Sequence, residues 1–294
     1  MTSIFDGNEK GIVAVTDAHA DIAGAVVIWR LGNEVSIAAL ADAWRAAGLD
    51  EKFLPNDPTP AAAMVKALRE HDGTRVLVRP LGRDAWSLVN ETVAGETLSY
   101  EQIVTVKLVK DVPAFDPPDH PIVDKLRHDF EHFSTVYTLR ELSLWVTERV
   151  RGLKAVSLRD TGGAYFIPRD GVPLYAKMRE ILGSLNSECI LHQIPAMQSK
   201  EAIAAILCEL QIESDAEIAE IEKELGSGEE LGKRAIGTRV RSCDALREKI
   251  ESYEKLLGQS LTSLHSRLEA LQGGLSAAAL ASDGLAALAD SSAA

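Results

Sequence analysis

Leu139-Arg-Glu-Leu-Ser-Leu-Trp-Val-Thr-Glu-Arg-Val150 and Ala155-Val-Ser-Leu-Arg-Asp-Thr-Gly-Gly-Ala-Tyr-Phe-Ile-Pro168 stand almost side by side in the chain. The first stretch carries Leu139, Leu142, Leu144, Trp145, Val146 and Val150 in a helical pattern. The second reads as two short apolar strands about a Gly162-Gly163 turn, where glycine takes the backbone angles a tight hairpin demands. Helix followed by glycine hairpin is winged-helix-like grammar, and it predicts a small mixed unit here.

Working outward, the same grammar appears upstream. Val35–Gly48 places Ile37, Leu40, Ala41 and Trp44 at helical spacing, and Gly48 is a natural stop. Thr59 with Pro60 is a cap followed by a proline in the first turn, which opens a helix over 60–71 with Met64, Val65 and Leu68 inward. Strands are expected at 75–81, 85–93 and 99–110, after two earlier ones at 11–16 and 25–31. Asp111–Pro121 holds four prolines and reads as a linker. A helical pattern then runs from 121 to 153 with a break near Thr138. Another helix is expected at 172–185, and a strand at 188–195.

From Ser199 the chain changes character. Ile203, Leu207, Leu210, Ile218, Ile221 and Leu225 mark one long helix, and Gly226-Ser-Gly228 interrupts it. A second helix carries Leu246, Ile250, Tyr253, Leu257, Leu261, Leu264, Leu268 and Leu271, with the step at Leu257–Leu261 read as a stutter. Residues 209–230 hold nine acids and one lysine, whereas 233–249 hold six bases and two acids. Folding back at the glycines sets these segments side by side, so an antiparallel hairpin is expected. Residues 273–294 are rich in alanine and read as a frayed helix or a disordered tail.

The expected fold is α+β: two small winged-helix-like units followed by a long C-terminal antiparallel helical hairpin. The divisions are an N-terminal unit over 1–112, a linker over 113–120, a helical unit with the Gly-Gly hairpin over 121–197, the helical hairpin over 198–272 and the tail. The exposed seam Leu246, Ile250, Tyr253, Leu257, Leu261, Leu264 and Leu268 is the expected interface with another copy or a partner.

Charge narrows the functional classes. The net is −13 overall, made of −6 over 1–117, zero over 118–197 and −7 over 198–294. Such a chain is a poor global match to phosphate backbones or anionic lipid, so any nucleic-acid contact must be local. The local candidate is Arg140, Arg149, Arg151, Lys154, Arg159 and Arg169, which carry a net +3 over residues 140–169. These bases either meet phosphates on a helix and wing or pair with the acidic helical arm. Cys189, Cys208 and Cys243 have neither metal-type nor paired spacing, which predicts reduced thiols. No leader and no apolar run of membrane-spanning length is present, so a cytoplasmic protein is expected.

His128-Asp-Phe-Glu-His132 matches the His-x-x-Glu-His order of certain metallopeptidases, in which two histidines one helical turn apart bind zinc and the glutamate, here Glu131, activates water. Glu209 lies at a spacing compatible with a third ligand. The plainer reading is a solvated helix face, because the glycine-rich continuation is replaced by Phe-Ser-Thr-Val-Tyr137. No nucleophile elbow and no phosphate-binding loop occurs, so no catalytic residue and no cofactor is assigned. Trp29, Trp44, Trp86 and Trp145 sit in apolar periodic contexts and are expected in the core.

Leu158-Arg-Asp-Thr-Gly-Gly-Ala-Tyr-Phe-Ile-Pro168, together with the proline-bounded helix around Pro55–Leu68, resembles an uncharacterised protein family of bacteriophages, prophages and some prokaryotic genomes. The resemblance covers roughly residues 25–195. It implies a phage-type setting and supplies no catalytic residues. The function expected is a non-enzymatic, self-associating or partner-binding protein, with nucleic-acid binding through 140–169 as the alternative and a zinc hydrolase as the remote one.

Overall fold

The computed structural model describes residues 22–73, 75–94, 97–159, 163–226 and 233–292. In chain order the elements are strands β1 (Ile22–Arg30) and β2 (Glu34–Ser36), then helices α1 (Ile37–Ala46) and α2 (Pro60–Arg69). Strands β3 (Val76–Gly82), β4 (Ala85–Ala94), β5 (Thr97–Val109) and β6 (Val112–Asp116) follow. Next come helix α3 (Val123–Thr135), strand β7 (Val136–Thr138), helix α4 (Leu139–Gly152), and strands β8 (Val156–Ser157) and β9 (Ala164–Pro168). Helix α5 (Val172–Leu185), strand β10 (Ile190–Met197) and helices α6 (Lys200–Gly226), α7 (Lys233–Leu257) and α8 (Thr262–Ser292) complete the order. The strand expected at 11–16 lies outside the described residues.

Caps set three helix starts, two of them, after Thr59 and Ser199, where the sequence places them. Ser36 Oγ accepts from the Ala39 N–H, Thr59 Oγ1 from the Ala62 N–H, and Ser199 Oγ from the Ala202 N–H. The described residues form two compact units. One comprises Ile22–Trp29, Thr147–Met178 and the described residues from Leu191 onward; the other comprises the described residues of Arg30–Val146 and Arg179–Ile190.

The first unit is a sheet with a helical bundle. Its strand order is β10-β1-β9-β8. β1 runs antiparallel to β9 from Gly24↔Pro168 to Ile28↔Ala164, and β8 pairs β9 at Val156↔Phe166. The two expected strands therefore pair, with turn residues 160–162 outside the described residues, but β9 is an inner strand and not one side of a free wing. The reason is burial: Tyr165, Phe166 and Ile167 are all interior, so the strand needs partners along both edges. Gly24 allows the approach, because a Cβ there would lie 2.0 Å from the Ile167 carbonyl oxygen.

The C-terminal helices are three, not two. α7 ends at Leu257, and Gly258 takes φ +66, the left-handed conformation that closes helices. What reads as a stutter is a turn, in which the Leu261 N–H donates to Glu254 Oε1 at 2.6 Å. α8 then returns along α6 and α7, and the former tail continues it. The seam Ile218, Ile221, Leu246, Ile250, Leu264, Leu268 and Leu271 is buried inside this bundle. Tyr253 and Leu257 pack with Val156 and Phe166 of the sheet and Ile206 and Leu210 of α6, and Leu261 is partly buried beside them. The residues expected at an interface with another chain are thus interior residues of one chain, since the third helix supplies the missing cover. The antiparallel charge pattern is realised: Arg239 Nε donates to Glu224 at 2.6 Å and Lys249 Nζ to Glu213 at 3.0 Å. Tyr253 OH donates to the Lys154 carbonyl at 2.8 Å, tying the bundle to the turn before β8.

The second unit is an antiparallel meander, β3-β4-β5-β6. Helices α2 and α3 bury Met64, Leu68, Leu126 and Phe133 against Trp86, Leu88, Val104 and Val106 of the sheet. The segment read as a linker contributes β6, which pairs β5 from Val109↔Val112 to Thr105↔Asp116. Prolines mislead here because β6 is an edge strand, where a missing N–H is tolerated. Trp44 and Trp145 meet edge-on at 5.5 Å, and their indole N–H groups donate to the Asp50 and Phe53 carbonyls. Three of the four tryptophans, Trp44, Trp86 and Trp145, are buried, while Trp29 stacks on Tyr165 at 5.4 Å.

Candidate functional site

The break near Thr138 builds a groove in the second unit. Val136–Thr138 pairs with Glu34–Ser36, so Glu34 lies opposite Thr138 and next to the end of α3. Thr138 then starts α4: its N–H and hydroxyl both donate to Glu141 Oε2 at 2.9 Å, the carboxylate half of a capping box. Lys66 Nζ of α2 reaches both oxygens of the same carboxylate at 2.7 Å. Burial pushes the Glu141 carboxyl up, but the bonds from Lys66 and Thr138 outweigh it and leave the group below its ordinary value. The start of α4 is thereby locked to α2.

Between α3 and α4 lies a concavity of about 810 Å³. Phe133, Leu139 and Leu144 supply its apolar surface. Leu139 and Leu144 are 44% and 64% exposed. Glu34, Glu70 and Asp129 line the same groove, with Arg140 and His132 as its basic side chains. His132 Nε2 lies 3.0 Å from Glu34 Oε2, and His71 Nε2 lies 3.2 Å from Asp129 Oδ2. The Asn186 side chain donates to the Glu34 carbonyl at 2.9 Å and holds β2 in place. The combination of exposed leucines with an excess of carboxylate suits an apolar segment bearing a cation, and disfavours phosphate.

Of the residues singled out from sequence, the groove gathers two, His132 and Arg140. The zinc trio is not assembled: among the described residues no group of three or more His, Cys, Asp or Glu side chains is placed to hold a metal ion. His132 is engaged by Glu34, His128 and Glu131 are exposed on α3, and Glu209 belongs to α6 in the other unit. The basic set is divided as well. Arg140 is in the second unit, whereas Arg149, Arg151, Lys154, Arg159 and Arg169 are in the first. Arg149 pairs with Glu148 at 2.7 Å. Lys154 and Arg169 line a cavity of about 420 Å³ whose walls also hold Asp170, Glu248, Glu251 and Lys255, so acids offset the bases there. Arg151 and Arg159 are exposed.

Glu34, Glu70 and Asp129 escape a reading of the sequence because each comes from a different element. Leu144 does leave a signal. At 3.6 residues per turn it lies on the opposite side of α4 from Leu142, Trp145 and Val146, which are buried.

Fold and groove together define an α+β protein with a helical bundle and an acidic, apolar cleft. The chain belongs to the family of unknown function DUF6744, whose model matches residues 22–287. No curated protein and no solved structure matches it. Among the described residues no helix is long and apolar enough to cross a membrane.

Proposed function

We propose that this chain is a non-enzymatic, partner-binding protein that receives an apolar, cation-bearing protein segment in the α3–α4 groove. The observation that carries the reading is Leu139 and Leu144, exposed beside Glu34, Glu70 and Asp129 in one concavity. Exposed leucines gain by being covered, and the carboxylates select the sign of what covers them. The motif over 158–168 supports a phage or prophage setting. Self-association through the C-terminal helices, expected from the sequence, passes in this reading to their outward faces, where Ile212 and Leu280 are exposed.

Co-purification with the tagged full chain tests the groove. Leu144→Asp is expected to release the bound protein while circular dichroism and Tm stay unchanged. Light scattering on the full chain reports the self-association arm. A strictly monomeric chain whose bound proteins are the same with and without Leu144→Asp would end the reading.

Nucleic-acid binding is the second reading, favoured by the exposure of Arg151, Arg159 and Arg169 on one unit. It predicts salt-dependent binding to DNA or RNA that weakens in Arg151→Ala and Arg159→Ala. Absence of binding at low salt removes it.

A further inference from the structure

The β4–β5 ribbon outruns the strands on either side of it. β3 pairs with β4 only as far as Val76↔Asn90, and β6 pairs with β5 only as far as Asp116↔Thr105. β4 and β5 continue to pair from Glu91↔Tyr100 through Val93↔Leu98 to Ala94↔Thr97. No described strand pairs with the outer edge of β5 from Thr97 to Ile103. The chain itself cannot extend β6 along that edge, because Pro117 and Pro118 follow Asp116 and lack an N–H.

Cross-strand neighbours share a face, so Glu91, Val93, Leu98 and Tyr100 lie together. Val93 is 67% exposed, and Leu98 and Tyr100 are 50% exposed. Arg79 of β3 sits over the Tyr100 ring at 5.6 Å. The other face is polar, with Thr92↔Ser99 and Asn90↔Glu101. Exposed edges are ordinarily blunted by lysine or proline, and Thr97–Ile103 contains neither. From Ala85 to Val106 the sequence holds Glu91, Glu96 and Glu101 and no Lys, Arg or His.

We propose that the outer edge of β5, Thr97–Ile103, is a docking edge for an extended strand of a protein partner that carries lysine or arginine and alternate apolar side chains. Main-chain groups of the added strand bond to the free edge, its apolar side chains cover Leu98 and Tyr100, and its cations, on the opposite face, meet Glu101. Charge decides the occupant. A second copy of this edge would set carboxylates against carboxylates, and a phosphate backbone would meet the wrong sign. The edge shares no residue with the groove between α3 and α4, so it stands whether or not that reading holds.

Hydrogen exchange on the full chain tests the proposal with three capped octapeptides: alternating Lys-Val, alternating Glu-Val and alternating Lys-Gly. The Lys-Val peptide is expected to slow amide exchange across Thr97–Ile103 about tenfold or more at saturation. Glu101→Lys is expected to abolish that protection and to leave Tm unchanged. Protection by the Glu-Val or Lys-Gly peptide to the same degree, or none by Lys-Val, would overturn it. A concentration-dependent dimer of the peptide-free chain, lost in Leu98→Lys, would overturn it too, by making a second copy the occupant.

Discussion

The three-helix bundle and the β4–β5 ribbon both carry regular apolar patterns, and they end in opposite states. In the bundle Ile218, Ile250, Leu264 and Leu268 are fully buried, because α8 returns and closes the seam left open by α6 and α7. In the ribbon Val93, Leu98 and Tyr100 face water, because β3 and β6 stop short of them. An apolar stripe therefore states that a surface gains by being covered. It does not state whether the same chain covers it.

Four measurements test that contrast. Leu268→Ala removes a side chain from the closed seam and is expected to cost about 2–5 kcal/mol, read as a lower urea midpoint by circular dichroism. A cost under about 1 kcal/mol would mean the seam is not closed. Tyr253→Phe deletes the bond to the Lys154 carbonyl and keeps the ring beside Phe166, so a loss of about 1 kcal/mol is expected from the same measurement.

Acid probes the meander unit through Glu141. The folded Glu141 carboxyl lies below its ordinary value of 4.5, so its contribution is present above that value and is lost as pH falls through the folded one. In Glu141→Gln the stability lost on acidification below about pH 4.5 should be smaller than in the parent chain. Parallel acid limbs in parent and variant would remove Glu141 from this role. The smallest effect is expected for Leu98→Lys, within about 0.5 kcal/mol of the parent, because Leu98 is half exposed to water. A loss above about 1 kcal/mol would mean that the ribbon is already covered.

Local punctuation was legible. Thr59 and Ser199 cap the helices that follow them, Gly48 takes φ +68 after α1, and the break at Thr138 becomes β7. The charge blocks of 209–230 and 233–249 announced the Arg239–Glu224 and Lys249–Glu213 pairs. Errors arose where one signal serves two structures. A glycine after Leu257 fits a stutter or a turn, and only the return of α8 along the bundle decides for the turn. Prolines in 113–118 fit a linker or an edge strand, and only the position of β6 at the sheet margin decides for the strand. The groove was nearly invisible, since Glu34, Glu70 and Asp129 are 36 and 59 residues apart in order along the chain.

Local sequence carried the starts of capped helices such as α2 and α6, which residues of each carry the apolar stripe, and the sign of charge along the C-terminal helices. These depend on neighbours within a few positions, where backbone geometry and capping act. Tertiary structure alone decided that Ile22–Arg30 pairs with Ala164–Pro168, that the Leu246–Leu268 seam is closed from within, and that the edge at Thr97–Ile103 stays open. Those outcomes depend on contacts between residues far apart in the chain, and periodicity does not encode the identity of a distant partner.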